Sequence, residues 1–445
     1  MAPKGFATLL LAQYLAPMLN DSINRNSPRG AFREVPYMGV IFVVDEAHKR
    51  GFWNGHPDWS NLGQGQPEVG PYEGAPPRIE EVRIGPQDHA YGRLEGTDEL
   101  REAVATHYNR LYRRGMPSQY SADNVAIANG GRLALSRAMA ALGAVKIGYQ
   151  LPDYTAYEDM FNLHLERMDP IAVWTDEAEG FQLTPVQYST AIQEHSLDAF
   201  IMSNPCNPTG NVIQQGELET LVRASRERRV TLLLDEFYSH FIYTDEGKPA
   251  GSPVSAAAFL EDIEDDPVVL FDGLTKSFRY PGWRVGWVVG PKKMVESMAR
   301  TASSLDGGPS RISQLAAIQA LEPDRADQET TALRRNFVKK RNLMLERLEM
   351  MGFRFARRPL STFYCWASLD QLPEPFNDAM EFFWRALDHK VMTVPGKFFD
   401  VNPGKVRSGP SPYKQWMRFS FGPPMDNVEM GLDRIAEMLG KKSST

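Results

Sequence analysis

A lysine and an arginine eight residues apart are the first candidates for chemistry in this sequence. Lys276 stands between Thr275 and Ser277, shortly after the apolar run 268–271, and Arg284 follows in a segment flanked by glycines. Most lysines are solvated surface cations, but a partly buried amine has a lowered pKa and can attack a carbonyl carbon. The pattern makes Lys276 a candidate Schiff-base nucleophile.

An acid and an amide follow two other apolar runs. Asp235 comes directly after the run 230–234, and Tyr238 lies three residues later. A carboxylate at the end of a buried strand costs free energy unless it meets a cation or a donor, and a protonated heteroaromatic nitrogen would serve. A helix N-cap is the simpler role for this aspartate. Asn207 lies in the segment 203–210, whose two Asn-Pro pairs favour a rigid loop that can hold an amide still.

Two glycines begin a helical stretch after the run 125–128. Gly130 and Gly131 precede Arg132 and the helical pattern over 133–142. Free backbone N–H groups at a helix start bind anions, because the helix dipole favours negative charge there. An ordinary tight turn has the same sequence pattern, so both interpretations stay open for these glycines.

The elements that must position these residues alternate between short apolar runs and helical patterns. The predicted strands are 125–128, 199–202, 230–234, 268–271 and 285–289. Continuous apolar runs are typical of strands buried on both faces of a parallel sheet. The alternation predicts an α/β layered fold, in which ligands bind at the carboxyl ends of the strands.

Helical patterns and the remaining segments predict two domains of unequal size. Helices are predicted over 37–52, over 97–114 with a start at Thr97, and over 312–351. We expect an N-terminal arm and part of a small domain in 1–75, a large domain in 76–320, and a smaller C-terminal α+β domain in 321–445.

In chain order these features resemble the class I/II aminotransferases, which are fold-type I enzymes that use pyridoxal 5′-phosphate (PLP). The matching segments are NLGQGQP at 61–67, YGRLEG with ELR at 91–101, NPTG at 207–210, D-x-x-Y at 235–238, the lysine segment ending in G-x-R-x-G at 276–286, and RFS at 418–420. The resemblance covers about 61 to 439. It implies the PLP-dependent transferase fold, with a mostly parallel central sheet in the large domain.

The resemblance assigns a role to each matched residue. Lys276 would form the resting Schiff base and then move the α-proton, while Asp235 would pair with the pyridine nitrogen of the cofactor. Arg418 would hold the substrate α-carboxylate as a bidentate fork. The other binding residues are Asn207 and Tyr238 at the phenolic oxygen, Gly131, Arg132, Thr275 and Arg284 at the phosphate, Tyr154 on the ring face, Gly65 near the substrate, and Tyr91, which would reach the phosphate of the other subunit. That last role implies a homodimer with shared active sites, and no metal is expected.

Transamination between an α-amino acid and a 2-oxo acid is the predicted reaction. The sequence departs from the family pattern at Gly273, where serine is frequent, at Arg132, at Arg279 and Tyr280 after the lysine, and at 360–363. These departures leave open elimination, cyclisation or replacement, as in aminocyclopropane-carboxylate synthases acting on S-adenosylmethionine. A regulator built on this fold would carry a DNA-binding domain before it, and residues 1–60 show no basic helix-turn-helix pattern.

Composition and charge are those of an ordinary soluble protein. The 445 residues are 42% hydrophobic and 24% charged, with 49 basic and 56 acidic side chains and a net charge of −7. No long basic block or membrane-length apolar run is present, so we expect no nucleic-acid or membrane partner. Two cysteines are too few for a disulfide framework. We expect a cytoplasmic enzyme with small-molecule substrates, and a short amphipathic arm at 6–15.

Overall fold

The computed structural model describes residues 37, 39–244, 246–249 and 251–441, so the predicted arm at 6–15 lies outside the described residues. Within them the α-helices are α1 (Gly39–His48), α2 (Asp98–Tyr112), α3 (Gly131–Ala141), α4 (Ala156–Asn162), α5 (Pro185–His195), α6 (Gln215–Arg228), α7 (Lys292–Leu305), α8 (Arg311–Ala320), α9 (Pro323–Met350), α10 (Ala379–Asp388) and α11 (Met425–Met438). The strands are β1 (Ser60–Asn61), β2 (Val125–Ala128), β3 (Val145–Leu151), β4 (Met168–Trp174), β5 (Ala199–Ser203), β6 (Thr231–Asp235), β7 (Val268–Gly273), β8 (Gly286–Val289), β9 (Tyr364–Ser368), β10 (Val391–Met392), β11 (Val394–Pro395) and β12 (Trp416–Ser420).

Seven strands form a central sheet in the order β2-β8-β7-β6-β5-β3-β4. All neighbouring pairs are parallel except those that β8 makes with β2 and β7. The five predicted apolar runs are strands of this sheet. The sequence pattern missed β3 and β4. In β3 the apolar residues are interrupted by Lys146, Gly148 and Gln150, while β4 is an edge strand with mostly half-buried residues and includes Asp169 and Pro170.

The core lies on both faces of this sheet, as the continuous apolar runs predict. Along β6, Leu233 packs into one hydrophobic cluster, while Leu232 and Leu234 pack into the other. Burial of each such side chain stabilises the fold by about 1.5–3 kcal/mol. The carboxyl ends of β5, β6 and β7 are therefore held in fixed positions by two packed layers.

A smaller antiparallel sheet carries the late arginine motif. Its order is β11-β12-β9, and Arg418 on β12 lies opposite Val394 and Trp366. The short strand β1 pairs in parallel with β10, so residues 60–61 lie beside the C-terminal part of the chain.

The helices follow the predicted pattern with local differences. Thr97 caps α2, since its side chain accepts a hydrogen bond from the Leu100 amide at 3.3 Å. The prediction of one helix over 312–351 was wrong: α8 ends at Ala320, and α9 begins at Pro323, which has no N–H to continue a helix. The helix expected over 37–52 spans only Gly39–His48. None of the described helices is both long and apolar enough to cross a membrane.

Candidate active site

A cavity of about 510 Å³ opens at the carboxyl ends of β5, β6 and β7. Eleven of the twelve predicted site residues line it: Gly65, Gly131, Arg132, Tyr154, Asn207, Asp235, Tyr238, Thr275, Lys276, Arg284 and Arg418. The remaining one, Tyr91, does not line it, and its side chain is fully exposed. The fold thus brings together residues that are up to 353 positions apart, from Gly65 to Arg418.

Lys276 lies in the turn that follows β7, with its amine inside the cavity. Its Nζ donates a hydrogen bond to the carbonyl oxygen of Gly65. Burial and the nearby cation of Arg418 lower the pKa of Lys276 to about 7, although Asp235 acts in the opposite direction. A large fraction of this amine is therefore neutral, and nucleophilic, near neutral pH.

Asp235 ends β6 and is buried beside the cavity. Its carboxylate accepts a hydrogen bond from the Tyr157 hydroxyl at 3.2 Å. Burial raises the pKa of Asp235 to about 6, and the donors from Phe237 and Tyr157, together with Lys276, oppose that rise. At neutral pH most of this carboxylate remains charged and can hold a proton on a nearby nitrogen.

Arg418 is buried at the other side of the cavity. Its Nη1 donates to Asn207 Oδ1 and its Nη2 to the Gly63 carbonyl, both at 2.9 Å. The guanidinium carbon lies 4.0 Å from the centroid of the Tyr364 ring. Within the described part of the chain the buried Nε has no hydrogen-bond partner. A planar fork held in this way suits a substrate carboxylate.

The start of α3 forms an end of the cavity suited to an anion. Gly130 has φ +91°, and a Cβ there would overlap the guanidinium of Arg284, while a Cβ on Gly131 would overlap the Phe237 ring. Both glycines are needed for this close approach, because a Cβ at either position would collide with its neighbour. The Thr275 hydroxyl is buried with no partner among the described residues, and Thr275 lines the cavity.

The departures near the lysine have structural reasons. A Cβ on Gly273 would lie 2.5 Å from the Val285 carbonyl oxygen, because Gly273 faces Gly286 across the β7–β8 pair. Serine therefore does not fit at this position. Arg279 and Tyr280 do not line the cavity, so neither contacts a substrate there within this chain.

A family model described as "Aminotransferase class I and II" matches residues 57–435. The chain belongs to the class I and II aminotransferase family. Two relatives are an aspartate aminotransferase of Sulfurisphaera tokodaii, 27% identical over 85% of this chain and 89% of the relative, and an aspartate/prephenate aminotransferase of Thermus thermophilus, 27% identical over 79% and 83%. The match makes the chain a PLP-dependent transferase, and these names favour amino-group transfer over the elimination, cyclisation or replacement that the sequence left open.

Solved structures show the same fold. An aspartate aminotransferase from Thermus thermophilus with maleate gives a TM-score of 0.72 at 23% identity, covering 92% of this chain and all of that chain. An aminotransferase from Mycobacterium tuberculosis gives 0.74 at 24% identity, covering 94% and 99%. The resemblance to fold type I is thus confirmed, as is the mostly parallel central sheet.

Sequence reasoning missed several residues that organise the site. Tyr364 lines the cavity, and its hydroxyl lies 2.9 Å from that of Tyr238. Asp153 accepts hydrogen bonds from the Ser203 hydroxyl at 2.5 Å and from the Ser203 backbone N–H at 3.1 Å. The Ser203 hydroxyl in turn accepts from the backbone N–H of Asn207 at 3.1 Å. The only feature of the sequence that could have pointed to Asp153 was its position next to Tyr154. Tyr157 and Tyr364 had none, because only the folded chain brings Tyr157 to Asp235 and Tyr364 to the cavity.

Proposed function

We propose that this chain binds PLP at Lys276 and transfers an amino group between an α-amino acid and a 2-oxo acid. The observation that carries the proposal is the convergence of an amine with a lowered pKa, a charged carboxylate and a guanidinium fork on one cavity: Lys276, Asp235 and Arg418. Lys276 supplies the amine that reacts with a carbonyl compound, and the Asp235 carboxylate can keep a ring nitrogen protonated. Arg418 supplies the cation that binds a substrate α-carboxylate.

The residues present fit the cofactor. Its phosphate suits the start of α3, where Gly131 lines the cavity, Arg284 supplies a cation, and the Thr275 hydroxyl, which has no partner among the described residues, supplies a donor. Arg132 also lines this end, and its Nη2 donates to the Tyr154 hydroxyl at 3.2 Å. That contact holds the Tyr154 ring beside the cavity, where it can cover the face of the cofactor ring.

The chain's own residues then divide the chemistry. When bound, PLP supplies an electron sink for the electrons left by a broken bond at the substrate α-carbon. Arg418 binds and orients the α-carboxylate, and Lys276 Nζ moves the proton at the α-carbon. Asp235 holds the proton on the ring nitrogen. Arg418 Nη1 donates to Asn207 Oδ1, so the side-chain NH2 group of Asn207 is the part that would donate to the phenolic oxygen of the cofactor.

Tyr91 supports a dimer with shared sites. Its side chain is fully exposed and outside the cavity of its own chain, as a residue that serves the partner's cavity would be. We propose that Tyr91 of each subunit binds the phosphate in the other, within a homodimer. We also propose the division into an arm and part of the small domain (1–75), a large domain (76–320) and a small domain (321–445).

A single-turnover experiment tests the reaction. Holoenzyme mixed with one amino acid should convert its cofactor to the pyridoxamine form and release a 2-oxo acid, and Lys276→Ala should not. Aspartate is the first donor to test, given the relatives' names, and leucine is the comparison, because Val40 and Ile41 of α1 add apolar surface to the cavity. Return of unchanged PLP with loss of a side-chain leaving group would contradict transamination.

A further inference from the structure

Arg279 is a fully buried arginine three residues after Lys276, and the proposed reaction does not use it. We propose that Arg279 is a positioning residue for that reaction. It ties the lysine segment to the backbone of residues 68–70 and so keeps the Gly65 carbonyl on the Lys276 amine. The inference rests on the proposed role of Lys276 as the reacting amine.

The backbone of Arg279 is directly coupled to the lysine. Its amide donates to the Lys276 carbonyl oxygen at 3.1 Å, and its φ is +58°, in the left-handed region that side chains with a Cβ rarely adopt. This conformation is disfavoured for a residue with a Cβ and persists only where other contacts hold it. The side chain of Arg279 provides those contacts.

The guanidinium of Arg279 uses its planar fork to hold several groups at once. Nε donates to Glu329 Oε1 at 2.5 Å, and Nη1 donates to the carbonyl oxygens of Gly70 at 2.6 Å and Glu68 at 3.2 Å. Its carbon lies 3.6 Å from the centroid of the Tyr72 ring. A lysine could pair with Glu329, but it lacks the fork that reaches the two carbonyls in the same geometry.

The segment that Arg279 holds directly follows the residues that contact the reacting groups. The Gly65 carbonyl accepts from Lys276 Nζ, and the Gly63 carbonyl accepts from Arg418 Nη2 at 2.9 Å. Because Gly65 lies only three residues before Glu68, fixing the carbonyls of 68–70 limits where the carbonyls of 63–65 can lie. The tether therefore acts on the amine and on the carboxylate-binding arginine through one short stretch of chain.

Loss of the Arg279 side chain need not unfold the protein, because Glu329 has a second cation. Arg78 Nη1 lies 3.4 Å from Glu329 Oε1, and Arg78 Nη2 donates to the Arg279 carbonyl at 2.8 Å. That backbone contact remains in any Arg279 variant. A neutral replacement thus leaves the carboxylate of Glu329 paired.

The test compares Arg279→Met and Arg279→Lys with a matched buried arginine. Arg113 is equally buried, does not line the cavity, and donates to the carbonyls of Ser118 and Ala257 at 2.7 Å. In Arg279→Met we expect kcat to fall at least roughly tenfold, with KM changing less, because misplacement of reacting groups slows the chemical step. Amide hydrogen exchange over 63–70 should accelerate in the apo-protein as well. Arg279→Lys should regain most of the Tm but only part of kcat, and Arg113→Met should lower Tm without either change.

Unchanged exchange over 63–70, full kcat in Arg279→Lys, or an equal loss of kcat in Arg113→Met would each overturn the positioning role. Should Arg279→Met fail to fold, Arg279→Lys decides the question alone. If the unmodified enzyme converts no amino acid at all, the proposed function fails, and with it the catalytic part of the inference. Exchange over 63–70 measured in the apo variants separates the two failures, since it reports the tether without turnover.

Discussion

At the scale of single residues, burial drives Lys276 and Asp235 toward their neutral forms, and the pKa values that result lie about a unit apart. The pKa of Lys276 falls to about 7 and that of Asp235 rises to about 6, so at neutral pH the amine is reactive while the carboxylate stays charged. The surroundings of each group thus give Lys276 the role of a reactive amine and Asp235 the role of a charged partner in the same cavity.

The titration of Lys276 can be measured directly. In the apo-protein, labelling of this amine by an amine-selective reagent should rise with pH through a midpoint near 7, whereas in the denatured chain the midpoint should return to the ordinary value of about 10.4. Arg418→Gln should move the folded-state midpoint upward, because it removes a cation that lowers the pKa of Lys276. Peptide mapping of the labelled protein at each pH gives the curve, and a folded-state midpoint near 10 would refute this account.

Tyr157 offers a second test at this scale. Its hydroxyl donates to Asp235 and lowers the pKa of that carboxyl, so Tyr157→Phe should raise the pKa of Asp235 above about 6. The acidic limb of the kcat/KM profile should then move to higher pH, with a loss of severalfold near neutrality. Tyr188→Phe is a suitable control, since Tyr188 is also buried but its hydroxyl bonds to Ser225, away from the cavity. A limb that moves equally in both variants would count against a specific contact.

At the scale of elements, the strands bring the acid and the lysine to one sheet edge, and α3 adds a helix start. Gly131 permits this arrangement, because any side chain there meets the Phe237 ring. Gly131→Ala should therefore weaken the binding of PLP and of inorganic phosphate to the apo-protein by roughly tenfold or more, which corresponds to about 1.4 kcal/mol. Equilibrium titration gives the two dissociation constants.

Gly143, two residues beyond α3, provides the matched control for this element. A Cβ there meets nothing within 4 Å, so Gly143→Ala should bind phosphate as the unmodified protein does. Equal affinity in the Gly131 and Gly143 variants would show that the helix start is not the anion site.

At the scale of the whole molecule, the proposed sharing of sites makes activity a property of the dimer. A hybrid of one Lys276→Ala subunit and one Tyr91→Ala subunit contains one cavity with an intact lysine, served by the intact Tyr91 of its partner. Hybrids should therefore recover part of the activity that each parental homodimer lacks. Hybrids formed by co-refolding and separated by affinity tags allow the measurement. Recovery no greater than the average of the parents would place Tyr91 in its own cavity or outside the reaction.

The sequence by itself predicted five of the seven strands of the central sheet and named eleven residues that line the cavity. Residues such as Asp235 and Lys276 follow continuous apolar runs, which are typical of parallel strands buried on both faces. Ligands bind at the carboxyl ends of such strands. The resemblance to the class I/II aminotransferases supplied other site residues, such as Gly65, Tyr154 and Arg418. The sequence pattern did not predict the edge strand β4, because its half-exposed positions tolerate polar residues and a proline.

Only the tertiary structure decided which distant groups support those residues. Tyr157, Tyr364 and the Arg279 tether depend on contacts between segments far apart in the chain, and no local pattern encodes such contacts. The shifted pKa values are likewise products of burial and neighbouring charge, which exist only once the two layers have packed around the strand ends.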